Sequence, residues 1–394
     1  MNILFAWEMG ANFGHLSRCV PVAERLHASG HRVLFAVRDV RMAGQWLGQR
    51  FPFLQAPLVV SNVAPDAAPA SHAEMLLAAG WDDRTGLGGQ ILAWRQLLRL
   101  TAPDRIVADH APGMLLAART LGVPAIALGN GFEVPDGNAQ HRSIRPWEAI
   151  SEARLESAEN RALARANDVL RAFGREPIKR LSDLYATRPL LATFPELDHC
   201  GERNEARYLG SIHGQAPDGV QQLPEWPAGD GARVFAYLRA RHAATPSIFA
   251  ALKETGVRAL CVVPDAPPSF DAEMGGGIHL LRAPIDLGAV LSDADVAVGY
   301  GGAGFIAQSL LAGVPMLLAP QYAEQYLGAL RVESLGAGVV LQGGARSNTA
   351  TALRRMLETS EFRSAAMRFA SKYADWTSDR AVDLAALAIV EPLP

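Results

Sequence analysis

The chain has 394 residues, 49% of them hydrophobic and 20% charged. At roughly 100–200 residues per domain, that length predicts two domains with a core each, and the composition excludes wholesale disorder. Thirty-seven basic against forty acidic residues leave a formal charge of −3, with no basic surplus for nucleic acid, and three scattered cysteines (Cys19, Cys200, Cys261) exclude a disulfide framework or a structural zinc site. A cytoplasmic setting is expected.

Asn2–Trp7 (NILFAW) is a short apolar run suited to a buried parallel strand, and is too short for a signal-peptide core. A helix is predicted over His15–Ser29, with Leu16, Cys19, Ala23 and Leu26 on one face and Gly30 as its stop. Strand Arg32–Val37 completes a βαβ unit. Helical stretches follow within 70–100. The rhythm then returns as strand Arg105–Ala108, a helix around Met114–Thr120, a Gly122 stop and strand Ala125–Leu128. Trp147–Phe173 reads as helix.

The segment 213–231, rich in Pro, Gly and polar residues, reads as a linker. Behind it come strand Arg233–Leu238, helix Ser247–Glu254, and strands Ala259–Val263 and Val296–Val298. Helix Phe305–Ala312, strand Met316–Leu318, helix Ala323–Ser334 and a C-terminal helix in 376–390 complete the pattern. Alternating strands and helices predict doubly wound parallel sheets, an α/β class. The stretch Val296–Ala323 carries no charge and is long enough to span a bilayer. Seven glycines and prolines interrupt it, so no transmembrane segment is expected.

The loop VAVGYGGAG (296–304) places glycines where a backbone can approach a diphosphate, ahead of a helix with unpaired N–H groups. Its Gly299-x-Gly301-x-x-Gly304 spacing alone also fits a dinucleotide fingerprint or a tight turn. The wider stretch 299–338 resembles the donor-binding signature of family 1, UDP-sugar-dependent glycosyltransferases. It keeps Gly301, Gly302, Gly304, Leu310, Gly313-Val314-Pro315, Pro320, Glu324-Gln325, Arg331 and Leu335-Gly336. The segment 10–33 is similar to the GHxxP segment of the same family, and the two matches fall in opposite domains in the family's order.

The resemblance implies a GT-B fold: two Rossmann-like domains facing a cleft, acceptor side at 1–212, nucleotide-sugar side at 232–375, and a last helix (376–394) returning to the first domain. It implies an inverting, metal-independent enzyme that moves a sugar from a UDP- or dTDP-sugar to an apolar or amphipathic, small-molecule or lipid-like acceptor, with no cofactor. His15 would be the general base and Asp109 its partner, with His110 a lesser candidate. Tyr300, Gly301, Gly302, Ala303, Gly304 and Gln308 would hold diphosphate and ribose, and Glu324 and Gln325 the sugar hydroxyls. Trp81, Trp94, Phe132 and Trp147 are candidates to line the acceptor site.

Three departures from the family pattern stand out. Tyr300 replaces the loop histidine, Phe305 a hydroxyl residue, and Gln308 a ribose-binding glutamate. Arg239, after strand 233–238, is the candidate for the missing positive charge. The same departures motivate the alternative of a non-catalytic nucleotide-sugar-binding or partner-binding protein. Asp293-Ala294-Asp295 matches a metal-holding DxD, but a turn before a strand accounts for it, as turn or cap roles do for Asp39 and Asp104.

Overall fold

A computed structural model gives the fold and describes residues 1–11, 14–59, 67–137, 142–185, 189–204, 206–214, 225–273, 275–283, 285–341 and 346–392. Most of the expected linker, 215–224, lies outside these. The chain forms two compact units, Met1–Pro217 with Thr377–Pro394, and Asp218–Trp376.

The first unit runs β1 (Asn2–Trp7), α1 (Gly14–Ala28), β2 (Arg32–Val37), α2 (Val40–Trp46), β3 (Phe53–Gln55), α3 (His72–Leu76), α4 (Arg84–Thr101), β4 (Arg105–Asp109), α5 (Pro112–Leu121), β5 (Ala125–Gly129), α6 (Glu152–Ala172), β6 (Leu190–Leu191) and β7 (Arg207–Tyr208). Among the described residues its strands form one parallel sheet, ordered β3-β2-β1-β4-β5-β6-β7. Because the order reverses between β1 and β4, their carboxyl ends diverge and leave a crevice, which is where doubly wound sheets bind ligands. The register sets Trp7 beside Asp109 at that edge.

Local chemistry explains several boundaries. Within 70–100, Gly80 has φ 104°, a conformation that ends α3 and its continuation before α4 restarts behind the Asp83 cap. The α6 helix starts five residues later than the periodicity suggests, because the Ser151 hydroxyl caps it through Arg154 N–H. Pro21 sits inside α1 and leaves the Ser17 carbonyl without its helical donor. The Gly214 N–H supplies the bond instead at 2.8 Å, and a Cβ at Gly214 would press on Pro21. Asp39 caps α2, and Asp104 accepts from the Asn2 N–H, so both are structural.

The second unit runs β8 (Arg233–Tyr237), α7 (Thr245–Thr255), β9 (Arg258–Val262), β10 (Ile278–Leu281), α8 (Leu287–Ser292), β11 (Val296–Gly299), α9 (Ala303–Leu311), β12 (Met316–Leu318), α10 (Ala323–Ser334), β13 (Gly338–Val340), α11 (Arg346–Glu358) and α12 (Ser360–Lys372). Its parallel order, β10-β9-β8-β11-β12-β13, reverses between β8 and β11. The last helix, α13 (Ser378–Val390), belongs to the first unit, where it packs on α1 and Asp383 pairs with Arg25. No helix among the described residues is long and apolar enough to cross a membrane.

Candidate functional site

In the first unit, the turn after β1 delivers His15 to the start of α1, and β4 ends in Asp109. His15 Nδ1 lies 2.8 Å from Asp109 Oδ1, with both side chains buried. The carboxylate accepts the Nδ1–H, which leaves the Nε2 lone pair to take a proton. The Trp7 ring stacks on the imidazole at 5.0 Å and fixes its plane. Gly10, at φ 83°, closes the other side: a Cβ there would stand 2.4 Å from His15 Nε2.

Asp109 is shared more widely than the sequence suggests. Arg18, one turn along α1, donates to it through Nε at 3.1 Å and Nη2 at 2.6 Å, and the Cys19 thiol sits 3.2 Å from Oδ2. The Arg18 Nη2 also reaches Glu133 Oε2 at 2.8 Å, while Glu133 Oε1 is 3.7 Å from His15 Nδ1. Burial opposes the Asp109 charge, yet Arg18 and His15 outweigh it and hold the carboxyl well below the usual range. Burial likewise opposes a protonated His15, but Asp109 and then Glu133 carry its pKa above the ordinary value.

His15, Asp109 and Glu133 together have the spacing of a metal-ligand trio. The position between the two carboxylates is taken by the Arg18 guanidinium, which provides the cation. Asp293 and Asp295 lie at the amino end of β11, the edge away from a donor loop. There Asp295 accepts from the Arg233 N–H at 2.8 Å and Asp293 faces the Arg233 guanidinium, so the turn reading of the DxD is the one the contacts fit.

His110 follows Asp109 in a left-handed conformation, φ 46°. Its ring stands 6.1 Å from that of His15 and meets Phe132 edge-on at 6.3 Å. Burial lowers its pKa to about 4, so it is neutral in ordinary conditions. Glu8, just past β1, was not anticipated from sequence. Its carboxyl receives Gln90 Nε2 at 2.7 Å and the Met114 N–H at 3.1 Å, and burial pushes its pKa up to about 7.

Of the aromatic candidates, Phe132 borders this cluster. Trp81 and Trp94 do not serve: both are 0% exposed within the hydrophobic core, where α4 and its approach pack, and offer no face to a ligand. Amphipathic periodicity marks such tryptophans as inward but cannot separate a core from a pocket. Trp147 is on the surface beside the Arg145 guanidinium.

In the second unit, β8 leads into Leu238-Arg239 and β11 into the 299–304 loop, on either side of the sheet's reversal. Gly302 is the N-cap of α9, and a Cβ at Gly302 or Gly304 would meet nothing within 4 Å, so the backbone there is open to approach. Ala303 is the first residue of α9, where amide N–H groups lack helical partners. Gly301 adopts φ 89°, and a Cβ on it would meet the Gln325 carbonyl, which ties the loop to α10.

Tyr300 is engaged within its own unit. Its hydroxyl takes the Arg239 N–H, lies 3.0 Å from Thr245 Oγ1, and its ring stacks on His242 at 4.1 Å. These contacts pin the β8–α7 turn to the β11–α9 turn. Phe305 folds back over Gly299 toward Phe235. Gln325 Oε1 accepts from the Gln321 and Tyr322 N–H groups and caps α10. Gln308 Nε2 donates a long bond to the Gly304 carbonyl, and Glu324 is half-buried on the first turn of α10. Among the described residues the Arg239 guanidinium has no carboxylate partner.

Residues 270–382 match the profile of the erythromycin biosynthesis protein CIII-like C-terminal domain. The chain is 27% identical over 410 residues to a PGL/p-HBAD biosynthesis glycosyltransferase of Mycobacterium tuberculosis, covering 94% of this chain and 88% of that one. It is 24% identical to the 4'-demethylrebeccamycin synthase of Lentzea aerocolonigenes, covering 96% and 97%. Among solved structures, the glycotransferase of kitacinnamycin superposes with a TM-score of 0.70 at 21% identity, covering 98% and 99%. A spinosyn rhamnosyltransferase complexed with thymidine diphosphate gives 0.69 at 19%, with the same coverage.

The fold is that of the GT-B glycosyltransferase structures, and over most of its length the chain is similar to bacterial glycosyltransferases. At the reversal point of its own sheet, the first unit carries a buried histidine–aspartate pair and the second an open glycine loop. A non-catalytic reading is not favoured, since the similar proteins over most of the chain are named as transferases or synthases.

Proposed function

We propose that the enzyme transfers a sugar with inversion, without a metal, from a UDP- or dTDP-sugar to a hydroxyl of an apolar or amphipathic small molecule. The observation that carries this reading is the buried 2.8 Å contact of His15 Nδ1 with Asp109, beside a Gly10 that leaves Nε2 uncovered by any side chain of its own. Nε2 takes the acceptor's proton, the acceptor oxygen forms its bond to the anomeric carbon, and the bond to the leaving diphosphate breaks on the opposite face. A single displacement of this kind inverts the centre. General-base help is worth roughly 10²–10⁴ in rate.

The leaving diphosphate collects negative charge. In this reading the N–H groups opening α9 and the Arg239 guanidinium meet it, in place of a metal. Acceptor breadth is suggested by relatives named for rebeccamycin and lactenocin products, and a deoxythymidine donor by neighbours titled with thymidine diphosphate. The test is a panel of UDP- and dTDP-sugars against polycyclic and macrolide aglycones, read by product mass. His15→Ala is expected to lose product by at least about a hundredfold while keeping nucleotide affinity. Unaltered turnover in that variant refutes the assignment.

A further inference from the structure

The bond between His15 and Asp109 is not an isolated pair. Arg18 grips both oxygens of Asp109, at 3.1 and 2.6 Å, so much of that carboxylate's charge is already answered before the imidazole is protonated. A cation forming on His15 would then face Asp109 and Arg18, whose charges cancel. Such an imidazolium, buried at 7% exposure, would lack a counter-charge, and a buried unpaired charge is strongly disfavoured.

The structure places one more anion there. Glu133 Oε1 is 3.7 Å from His15 Nδ1, and its Oε2 is 2.8 Å from Arg18 Nη2. The loop that carries it is held at several points. Asn130 Oδ1 accepts from the N–H groups of Phe132 and Glu133, and Glu133 Oε2 receives the Asn130 N–H at 2.7 Å. Arg203, itself forked onto the fully buried Asp198, donates to the carbonyls of Gly131 and Val134. Such a loop holds a carboxylate at one distance from the imidazole.

The other groups facing His15 add no charge. His110, beyond Asp109, is neutral, and the Cys19 thiol of α1 is held protonated by burial beside Asp109. Trp7 of β1 contributes only its ring. The cluster of His15, Asp109, Glu133 and Arg18 therefore carries −1 with a neutral imidazole and zero with a protonated one.

We propose that Glu133 is a positioning residue for the base: from 3.7 Å it supplies the second negative charge that offsets Arg18 and leaves the cluster neutral once His15 has taken the acceptor's proton. This rests on the reading of His15 as base. Glu133 touches neither substrate nor leaving group; it acts through the ring and through Arg18. An opposite charge within about 4–6 Å moves a titration midpoint by roughly one to three pH units.

The test is an NMR pH titration of the full chain carrying ¹³C-labelled histidine, with the His15 signal assigned by its loss in His15→Gln. In Glu133→Gln the His15 midpoint is expected to fall by about one to three pH units, with part of the fall recovered in Glu133→Asp. The acid limb of the kcat profile is expected to move by the same amount. A His15 midpoint unmoved in Glu133→Gln overturns the proposal. Should Glu133→Gln not fold, Arg18→Gln replaces it and must move the midpoint upward; a fall or no movement overturns the proposal equally. Normal transfer by His15→Ala would instead remove the base assignment and leave the titration result standing.

Discussion

Replacing Glu8 by glutamine isolates the energetics of one buried carboxyl. Glu8 emerges from β1 into a 3%-exposed site at the start of α5, a helix whose N-cap Ala111 has no side chain to cap it. The Met114 N–H and Gln90 amide favour the carboxylate, as does the helix end, but burial outweighs them and the pKa rises from 4.5 to about 7. That displacement corresponds to about 3 kcal/mol. The sign follows from proton counts: between pH 4.5 and 7 the folded protein holds this proton and the unfolded chain does not, so stability falls as pH rises. The contribution is complete below about 4.5 and gone above about 7. Glu8→Gln cannot titrate, so its stability relative to wild type should improve by about 3 kcal/mol between pH 4.5 and 8. Urea unfolding followed by tryptophan fluorescence measures this, because Trp7, Trp46, Trp81, Trp94 and Trp147 all lie in the first unit. Taking the difference between variant and wild type cancels the titration of distant groups. A difference that stays the same across that pH range refutes the reasoning.

Other expectations concern the two reversal points. Gly10→Ala puts a methyl 2.4 Å from His15 Nε2 at φ 83°, and kcat should fall by about tenfold or more with donor affinity by calorimetry unchanged. Asp109→Asn should lower kcat by up to about 10⁴, since an amide no longer holds the imidazole in the required tautomer. The same change leaves Arg18 with one buried anion fewer, so a loss of about 3–5 kcal/mol in denaturant stability should accompany it. Arg239→Ala should weaken nucleoside-diphosphate binding by about tenfold to a hundredfold, the worth of a charged hydrogen bond, and calorimetry showing equal affinity would exclude Arg239 from the donor site.

Much of the architecture was legible from periodicity and stop signals. Asn2–Trp7, Arg32–Val37, Met316–Leu318 and Ala323–Ser334 form the segments expected of them. Short pieces such as Phe53–Gln55 and Leu190–Leu191 were not, because two or three residues carry no period and are strands only by pairing with a longer neighbour. The His15–Asp109 meeting was expected from the resemblance to family 1 glycosyltransferases, and the two side chains do lie in contact. Glu133 and Arg18 were not, since nothing in NGFEVP or in the first turns of α1 announces that they converge on one carboxylate.

Chain order alone therefore determined the alternation of strands and helices and the glycine loop that leads into a helix. Each of these depends on residues close in sequence or on a repeated local motif. Only the folded structure decided that the Tyr300 hydroxyl meets the Arg239 N–H, that Gln325 Oε1 caps its own helix, that Trp81 and Trp94 are core, and that Glu133 meets the Arg18 guanidinium beside His15. Side-chain direction and charge balance are set by neighbours far along the chain, 94 residues in the case of His15 and Asp109, and those neighbours exist only once the sheet has closed.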